Sequence, residues 1–245
     1  MKIIISPAKK MNIDTDGLEV RSLPPFMDKT ERLHEILRGM SYEELKALWN
    51  CNDKIASLNA ERLNNDLSKN VTPAILAYEG IQYQYMSPGV FTYDELEYVQ
   101  SHLVILSGFY GMVRPLDGVV PYRLEMQAKL KGDSFSSLYD FWGSIIADKI
   151  FSETDCVINL ASKEYSKTVS AYVPDGARFI TCRFGELNDG KIIEKGTMCK
   201  MARGDMVRFM AETKAASPED IKSYCRMGYS FSEELSKEKE FVFLK

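Results

Sequence analysis

Short apolar runs bounded by turn-forming or charged residues predict the strands of this chain. Asn188-Asp-Gly190 separates two of these runs, and such a tripeptide between apolar segments is typical of a β-hairpin. The predicted strands are Lys2 to Ile5, Leu103 to Leu106, Cys156 to Leu160, Phe179 to Leu187, Lys191 to Cys199 and Glu240 to Leu244.

Apolar residues at helical spacing predict the helices, and two capping boxes mark where helices begin. Ser41-Tyr-Glu-Glu44 precedes one helix, which Asn50-Cys-Asn52 interrupts, and Thr92-Tyr-Asp-Glu95 precedes a helix that runs toward Ser101. The other predicted helices are about Asp53 to Asn65, Ser136 to Phe151, Met201 to Lys214 and a short one after Ser217-Pro-Glu-Asp220.

No linker, repeat or low-complexity tract divides these elements, so the sequence predicts one domain over residues 1–245. The strands and helices do not alternate regularly enough to indicate a doubly wound sheet. We therefore expect a mixed α and β (α+β) fold.

Composition narrows the class of protein. The chain is 45% hydrophobic and 27% charged, and it has no apolar run near 18 residues, so we expect a soluble protein that does not enter a membrane. The N-terminus does not match a signal peptide, which favours the cytoplasm. Five cysteines without a Cys-x-x-Cys pair are expected to be reduced. His34 and His102 have no ligand-spaced partners, so we expect no metal site and no cofactor.

The most informative segment is Leu103 to Met126, where an apolar strand is followed by glycines, prolines and charges. Arg114, Asp117, Arg123 and Glu125 follow this strand, and α/β proteins usually place ligands at strand ends. The alternative is an irregular loop held by ion pairs, with Asp117, Glu125, Glu79 or Glu164 as partners of the two arginines. Because the loop is rich in apolar residues, we expect it to be ordered and buried.

Other strand exits are also polar. Lys9 and Lys10 follow the first strand, and Lys163 lies in the segment after Cys156 to Leu160. These exits converge in one cleft if the strands share a sheet. The alternative is that the lysines are solvated surface charges.

The net charge is −4, yet Lys191 to Lys214 holds six basic and three acidic residues. Lys200 and Arg203 share a helical face, with Arg208 close by, and this face is suited to phosphate. A solvated helix side is the alternative interpretation.

Residues 41–67 have the outline of a helix-hairpin-helix, a unit that offers backbone N–H groups to DNA phosphate. The hairpin Asn50-Cys-Asn52 has no glycine, although asparagine tolerates left-handed backbone angles.

Several motifs together resemble the peroxide-stress-resistance protein YaaA family, and they span nearly the whole chain in family order. The matching segments are Ser6-Pro-Ala-Lys-Lys-Met11, Pro73-Ala-Ile-Leu-Ala-Tyr-Glu-Gly80, Leu106-Ser-Gly-Phe-Tyr-Gly111, Arg114-Pro-Leu-Asp117, Pro121-Tyr-Arg-Leu-Glu-Met126, Leu138-Tyr-Asp-Phe-Trp-Gly143, Asn159-Leu-Ala-Ser162 with Glu164-Tyr165, and Lys200-Met-Ala-Arg-Gly204.

The resemblance implies a single domain of unusual topology with a central sheet, a basic cleft and a helix-hairpin-helix element. It also implies a DNA-binding protein of the peroxide stress response, linked to DNA protection or repair and to limitation of free iron. The expected partner is duplex or branched DNA, contacted through its backbone, and no obligate protein partner is inferred. The residues expected to contact DNA or another anion are Lys9, Lys10, Asn52, Lys54, Arg114, Arg123, Lys163, Lys200, Arg203 and Arg208.

A second hypothesis is an enzyme that acts on a small anionic metabolite. Lys9, Arg114, Arg123 and Glu125 would line its cleft, and Tyr110 or Tyr122 would donate protons.

Overall fold

Thirteen strands and ten α-helices make up the chain, and the computed structural model describes all of residues 1–245. The strands are β1 (Lys2–Ile5), β2 (Lys10–Met11), β3 (Thr72–Pro73), β4 (Tyr78–Glu79), β5 (Leu103–Ser107), β6 (Gly111–Val113), β7 (Gly118–Val119), β8 (Cys156–Asn159), β9 (Arg178–Asn188), β10 (Lys191–Ile193), β11 (Cys225–Arg226), β12 (Tyr229–Phe231) and β13 (Glu240–Leu244).

The α-helices are α1 (Met27–Arg38), α2 (Tyr42–Trp49), α3 (Asp53–Arg62), α4 (Ala74–Ala77), α5 (Ile81–Met86), α6 (Tyr93–His102), α7 (Leu138–Trp142), α8 (Ile145–Phe151), α9 (Lys163–Ser170) and α10 (Gly196–Thr213). Two short 3₁₀ helices cover Pro88–Val90 and Asp220–Ser223. None of the helices combines the length and the apolarity that crossing a bilayer requires.

One mixed sheet of nine strands forms the centre of the molecule, in the order β11-β12-β13-β9-β8-β1-β5-β6 with β10 beside β9. The five strands from β13 to β5 run parallel, and antiparallel strands close both edges. Residues of β5 and β8 are buried throughout, as expected for parallel strands whose two faces are both covered.

The parallel centre makes the molecule a single-domain α/β protein, so the predicted α+β class is corrected. The reason lies in the connections: Ile3 pairs with Leu103 on one side and with Ile158 on the other. The central strand β1 thus pairs with two strands that lie far from it in sequence, and the chain does not show the regular alternation that marks a doubly wound sheet.

The helix starts predicted from capping boxes, which depend only on residues close in sequence, were confirmed. Ser41 and Thr92 each form both bonds of a capping box, with Glu44 and Glu95. Two boundaries were wrong. The segment from Ser136 to Phe151 is two helices, because Gly143 adopts a φ of 50° between them. The strand predicted to reach Cys199 ends at Ile193, and α10 begins at Gly196.

The segment after β5 is ordered and buried, as predicted. Gly108 allows a close backbone approach, because a Cβ atom there would lie 2.4 Å from the carbonyl oxygen of Leu124. The indole N–H of Trp142 donates to the carbonyl oxygen of Gly108 over 3.0 Å. These contacts fix the chain that carries Tyr122, Arg123 and Glu125.

Candidate functional site

The carboxyl ends of β1 and β8 meet at one edge of the sheet. Ser6 follows β1, and its hydroxyl oxygen accepts a 2.9 Å hydrogen bond from the backbone N–H of Ser162, which follows β8. The two hydroxyl oxygens are 3.2 Å apart. The exits of these parallel strands therefore converge, in the way that open α/β sheets form ligand sites.

A cleft of about 480 Å³ opens at this edge. It is enclosed by the turn after β1, the start of α5, the segment that carries Arg123, the N-terminus of α9 and the first half of α10. Five cationic side chains and three carboxylates line it: Lys9, Lys10, Arg123, Lys200 and Arg203, with Glu79, Glu125 and Glu164.

The carboxylates neutralise only part of this positive charge. Glu125 lies 3.1 Å from the Lys9 ammonium and 3.0 Å from the Arg123 guanidinium. Lys10 contacts Glu79 at 2.6 Å, and this hydrogen bond lowers the pKa of the Glu79 carboxyl. Lys200 and Arg203 form no ion pair with any acidic side chain.

Three buried N–H donors in the cleft have no acceptor. They belong to the Nε atoms of Arg123 and Arg203 and to the Nε2 atom of Gln82. A buried donor without an acceptor costs about 1–3 kcal/mol, so native proteins seldom retain one unless a bound water, ion or ligand completes it. The Oε1 atom of Glu125, in the same cleft, also has no hydrogen-bond partner. The polar groups of the cleft are therefore not fully hydrogen-bonded within the protein.

Tyrosine hydroxyls form a network in the wall of the cleft. The Tyr122 hydroxyl lies 2.6 Å from the Ser107 hydroxyl and 3.0 Å from the Tyr78 hydroxyl. Burial raises the pKa of Tyr122 to about 12, although both hydrogen bonds oppose the shift. Tyr122 is therefore neutral at physiological pH and available as a hydrogen-bond donor. Tyr83 donates to the carbonyl oxygen of Ser6 over 2.9 Å.

The structure separates Arg114 from the cleft, although this arginine also follows a strand. Strand β6 runs back along β5 and carries Arg114 toward the amino ends of the parallel strands. There its guanidinium contacts Glu153 at 2.7 Å, whereas Asp117 accepts only its backbone N–H. Of the four carboxylates expected as partners of the two arginines, Glu125 pairs with Arg123, and none forms an ion pair with Arg114.

The remaining predicted residues lie around the cleft or away from it. Arg208 pairs with Glu212 at 2.8 Å on the same helix, and the exposed Lys163 does not line the cleft. The buried Tyr110 hydroxyl accepts the Val120 backbone N–H over 3.1 Å. No group of three or more His, Cys, Asp or Glu side chains is arranged to hold a metal ion.

Helices α2 and α3 are joined by a tight turn, as the sequence predicts. Asn50 adopts left-handed angles, and the Asn52 side chain accepts the Ile55 N–H over 3.0 Å. Asp53 occupies the first position of α3 and pairs with Lys46 at 2.6 Å. A carboxylate thus stands beside the N–H groups that a helix-hairpin-helix offers to phosphate.

The hairpin adjoins the cleft through Arg123. Its guanidinium donates to the carbonyl oxygen of Trp49, the last residue of α2, over 3.4 Å. Lys54 is exposed on α3. The end of α2 is therefore in contact with a residue that lines the cleft.

Gln82 is the site residue that sequence reasoning missed. A Cβ atom at Gly204 would lie 2.0 Å from the carbonyl oxygen of Gln82, so α10 contacts α5 backbone to backbone at this point. A glycine within a predicted helix and next to Arg203 was the available signal, because such a glycine often marks a close approach.

The fold and the site define a single-domain α/β protein whose charged cleft lies at the carboxyl ends of its parallel strands. A family model described as "Peroxide stress protein YaaA" matches residues 1–235. The chain therefore belongs to this family.

Curated relatives match along nearly their whole length and carry the name UPF0246 protein. The relative from Desulfitobacterium hafniense is 54% identical, over the whole of this chain and 98% of its own. The relative from Lachnoclostridium phytofermentans is 53% identical over the whole of this chain and 96% of its own. The relative from Pediococcus pentosaceus is 48% identical, with 98% of its chain covered.

Proposed function

We propose that this chain is a DNA-binding protein of the peroxide stress response that holds the DNA backbone in the cleft without strong sequence preference. The observation that carries the proposal is the group of donors without acceptors. Arg123 and Arg203 each have a buried Nε–H with no partner, and Lys200 beside them has no carboxylate. The peroxide stress family supports the biological setting.

Phosphodiester oxygens fit this group of donors. A guanidinium donates two parallel hydrogen bonds to phosphate, and such charge-assisted bonds are stronger than neutral ones. The Arg123 side chain is 11% exposed, so an anion bound there would be largely desolvated and its attraction to the guanidinium less screened. Contacts to backbone phosphate carry no sequence information, which accounts for weak sequence preference.

We further propose the hairpin between α2 and α3 as a second contact with the DNA backbone. Asn52 and Lys54 are exposed there, and Arg123 links the hairpin to the cleft through Trp49. Lys10 and Lys9, about 70% exposed at the rim of the cleft, would extend the contact by exchanging their carboxylate partners for phosphates.

A salt titration tests the proposal. Binding of duplex and branched DNA is measured by mobility shift at several salt concentrations, starting at about 50 mM, where phosphate contacts are strong. We expect affinity to fall steeply as salt rises, because each neutralised phosphate releases counterions. No binding at the lowest salt would refute DNA binding.

Paired variants then locate the contact surface. Replacing Lys200 and Arg203 by Gln should reduce the slope of log affinity against log salt by about two, since each phosphate contact contributes about one. The control is Arg114→Gln with Lys149→Gln, which removes two cations at the opposite edge of the sheet. Equal slopes for the two double variants would show that the cleft is not the contact surface.

A specific observation also favours a second candidate function. Lys9 and Arg123 both contact Glu125 in the cleft that Tyr122 lines, and the volume of the cleft falls in the range of small-molecule sites. An enzyme acting on a small anionic metabolite would use Arg123 to orient the anion and Glu125 as base. A thermal-shift screen of phosphorylated and carboxylated metabolites tests this alternative, which requires turnover that Glu125→Gln abolishes.

A further inference from the structure

The size of the cleft limits what can enter its buried part. A volume of about 480 Å³ suits a small molecule, whereas a DNA duplex has a major groove that is itself about 12 Å wide. A duplex can therefore lie across the opening with its phosphates against the cleft. Only a single nucleotide of a nucleic acid can occupy the interior.

Three tyrosines line the interior: Tyr83, Tyr122 and Tyr165. The first and last are less than 8% exposed. Hydrogen bonds from the Tyr83 hydroxyl to Ser6 and between the Tyr122 and Ser107 hydroxyls hold two of the rings in place. The Tyr122 ring is stacked on Phe109, with ring centroids 4.9 Å apart, so these tyrosines form a rigid aromatic wall and not a stacking platform. Small-molecule sites are lined mostly by such apolar and aromatic side chains, with a few polar groups that fix the ligand.

Gln82 adds a polar group suited to the edge of a base. Gln82 is only 7% exposed, yet its amide N–H₂ group has no acceptor. An amide carries both donors and an acceptor, and this combination matches the hydrogen-bonding edges of bases. The backbone of Gln82 packs against Gly204, the residue after Arg203 in α10, and both Gln82 and Arg203 line the cleft.

We infer that the interior of the cleft is a pocket for one nucleotide, of the kind that an unpaired position in DNA presents. Tyr83, Tyr122 and Tyr165 would contact the base, Gln82 would hydrogen-bond to its edge, and Arg203 with Arg123 would hold the adjoining phosphates. As a pocket for a nucleotide of DNA, it rests on the proposed DNA binding.

Matched DNA substrates test the pocket. Affinities are measured at one salt concentration for a paired duplex, the same duplex with one extra nucleotide, and the same bulged duplex with an abasic residue at that position. The last two share backbone and deformability and differ only by the base. We expect the base-bearing bulge to bind up to about tenfold more tightly than the abasic bulge, the effect of one hydrogen bond between Gln82 and the base.

The variant Gln82→Met removes the amide and keeps the length of the side chain. It should weaken binding of the base-bearing bulge more than binding of the paired duplex, and so reduce the preference for the bulge. Gln84→Met is the matched control, since Gln84 is exposed on the same helix. Because Gln82→Met removes a donor without an acceptor, its melting temperature should equal or exceed that of the wild type. A lower melting temperature would overturn the inference by showing that the fold itself satisfies the amide.

Titration with the four deoxynucleoside monophosphates separates this inference from the proposed function. Duplex binding with no preference for the base-bearing bulge and no mononucleotide binding would overturn the pocket and leave DNA binding in place. Mononucleotide binding that Gln82→Met weakens, without binding of any DNA, would support the pocket and overturn DNA binding. Failure of both ligands to bind would overturn both.

Discussion

At the amino ends of the parallel strands, three cations surround one carboxylate, whereas at the carboxyl ends five cations face three carboxylates. Glu153 contacts Lys2 at 2.8 Å, Arg114 at 2.7 Å and Lys149 at 3.0 Å. Burial alone would raise the pKa of Glu153, but the hydrogen bonds from Lys2 and Lys149 and the nearby charges bring the pKa to about 2.

The cleft differs from this cluster because several of its polar atoms have no hydrogen-bond partner. Its hydrogen-bonding capacity is left incomplete at Gln82, Arg123, Glu125 and Arg203, whereas no buried polar side-chain atom of the Glu153 cluster lacks a partner. Both groups of charges follow buried strands, so position in the sequence does not distinguish them. The two groups differ in how completely their polar side-chain atoms are hydrogen-bonded. A fully paired cluster stabilises the fold, and a partly paired cluster is able to bind an external anion.

The largest expected effect on stability is at the paired end. Glu153→Gln should lower the free energy of unfolding by about 3 kcal/mol, since the pKa falls from 4.5 to about 2 and each unit represents about 1.4 kcal/mol. Because the folded-state pKa is the lower one, this contribution is present above pH 4.5 and is lost as pH falls toward 2. Urea unfolding from pH 7 down to pH 3 measures both effects.

Glu234→Gln is the control for this prediction, because Glu234 is exposed and outside the cluster. DNA affinity should be unchanged in both variants. Loss of DNA binding in Glu153→Gln, with folding intact, would contradict a purely structural role for the edge of the sheet that carries Glu153.

The contrast between the two edges could be predicted only in part. Capping boxes depend on residues three positions apart, so Ser41 and Thr92 identified helix starts correctly. The parallel sheet depends on pairs such as Ile3 with Leu103, and no local pattern encodes a pairing over such a separation. Arg114 and Arg123 both follow β5, but only the return of β6 along β5 sends Arg114 to the other edge.

A second prediction concerns the contact that places Gln82 beside Arg203. Gly204→Ala should lower the free energy of unfolding by about 2 kcal/mol, within the range for overpacking, because its Cβ atom would meet the Gln82 carbonyl oxygen. Gly196→Ala, in the same helix with open space around it, should cost nothing. Equal stabilities of the two variants in chemical denaturation would contradict the close approach of α5 and α10.

The third prediction is a smaller loss of stability at the cleft. Breaking a buried ion pair usually costs about 3–5 kcal/mol, because the remaining charge has no partner. Arg123→Ala should cost only about 1–2 kcal/mol by comparison, since Lys9 stays 3.1 Å from Glu125. DNA affinity should nevertheless fall about tenfold, the scale of a charge-assisted hydrogen bond. Denaturation midpoint and DNA affinity should be measured on the same sample.

A loss of stability as large as that of Glu153→Gln, with unchanged DNA affinity, would make Arg123 a structural residue like Arg114. The sequence could not decide this point, because it shows the charges and not which hydrogen bonds remain unformed. Gln82 illustrates the same limit, since its importance depends on an amide that the fold buries without an acceptor.

The smallest expected effect is at the hairpin, where the geometry offers least to phosphate. The Asn52 side chain already accepts a hydrogen bond from the Ile55 N–H, and Asp53 places a carboxylate beside the start of α3. Lys54→Gln should therefore weaken all DNA forms only a few-fold and reduce the salt slope by about one. Lys237→Gln is the matched control, because Lys237 is exposed and precedes the parallel strand β13, on the edge away from the cleft.

Asp53→Asn should strengthen binding, because it removes an anion from the helix N-terminus. Unchanged affinity in both Lys54→Gln and Asp53→Asn would confine DNA contact to the cleft.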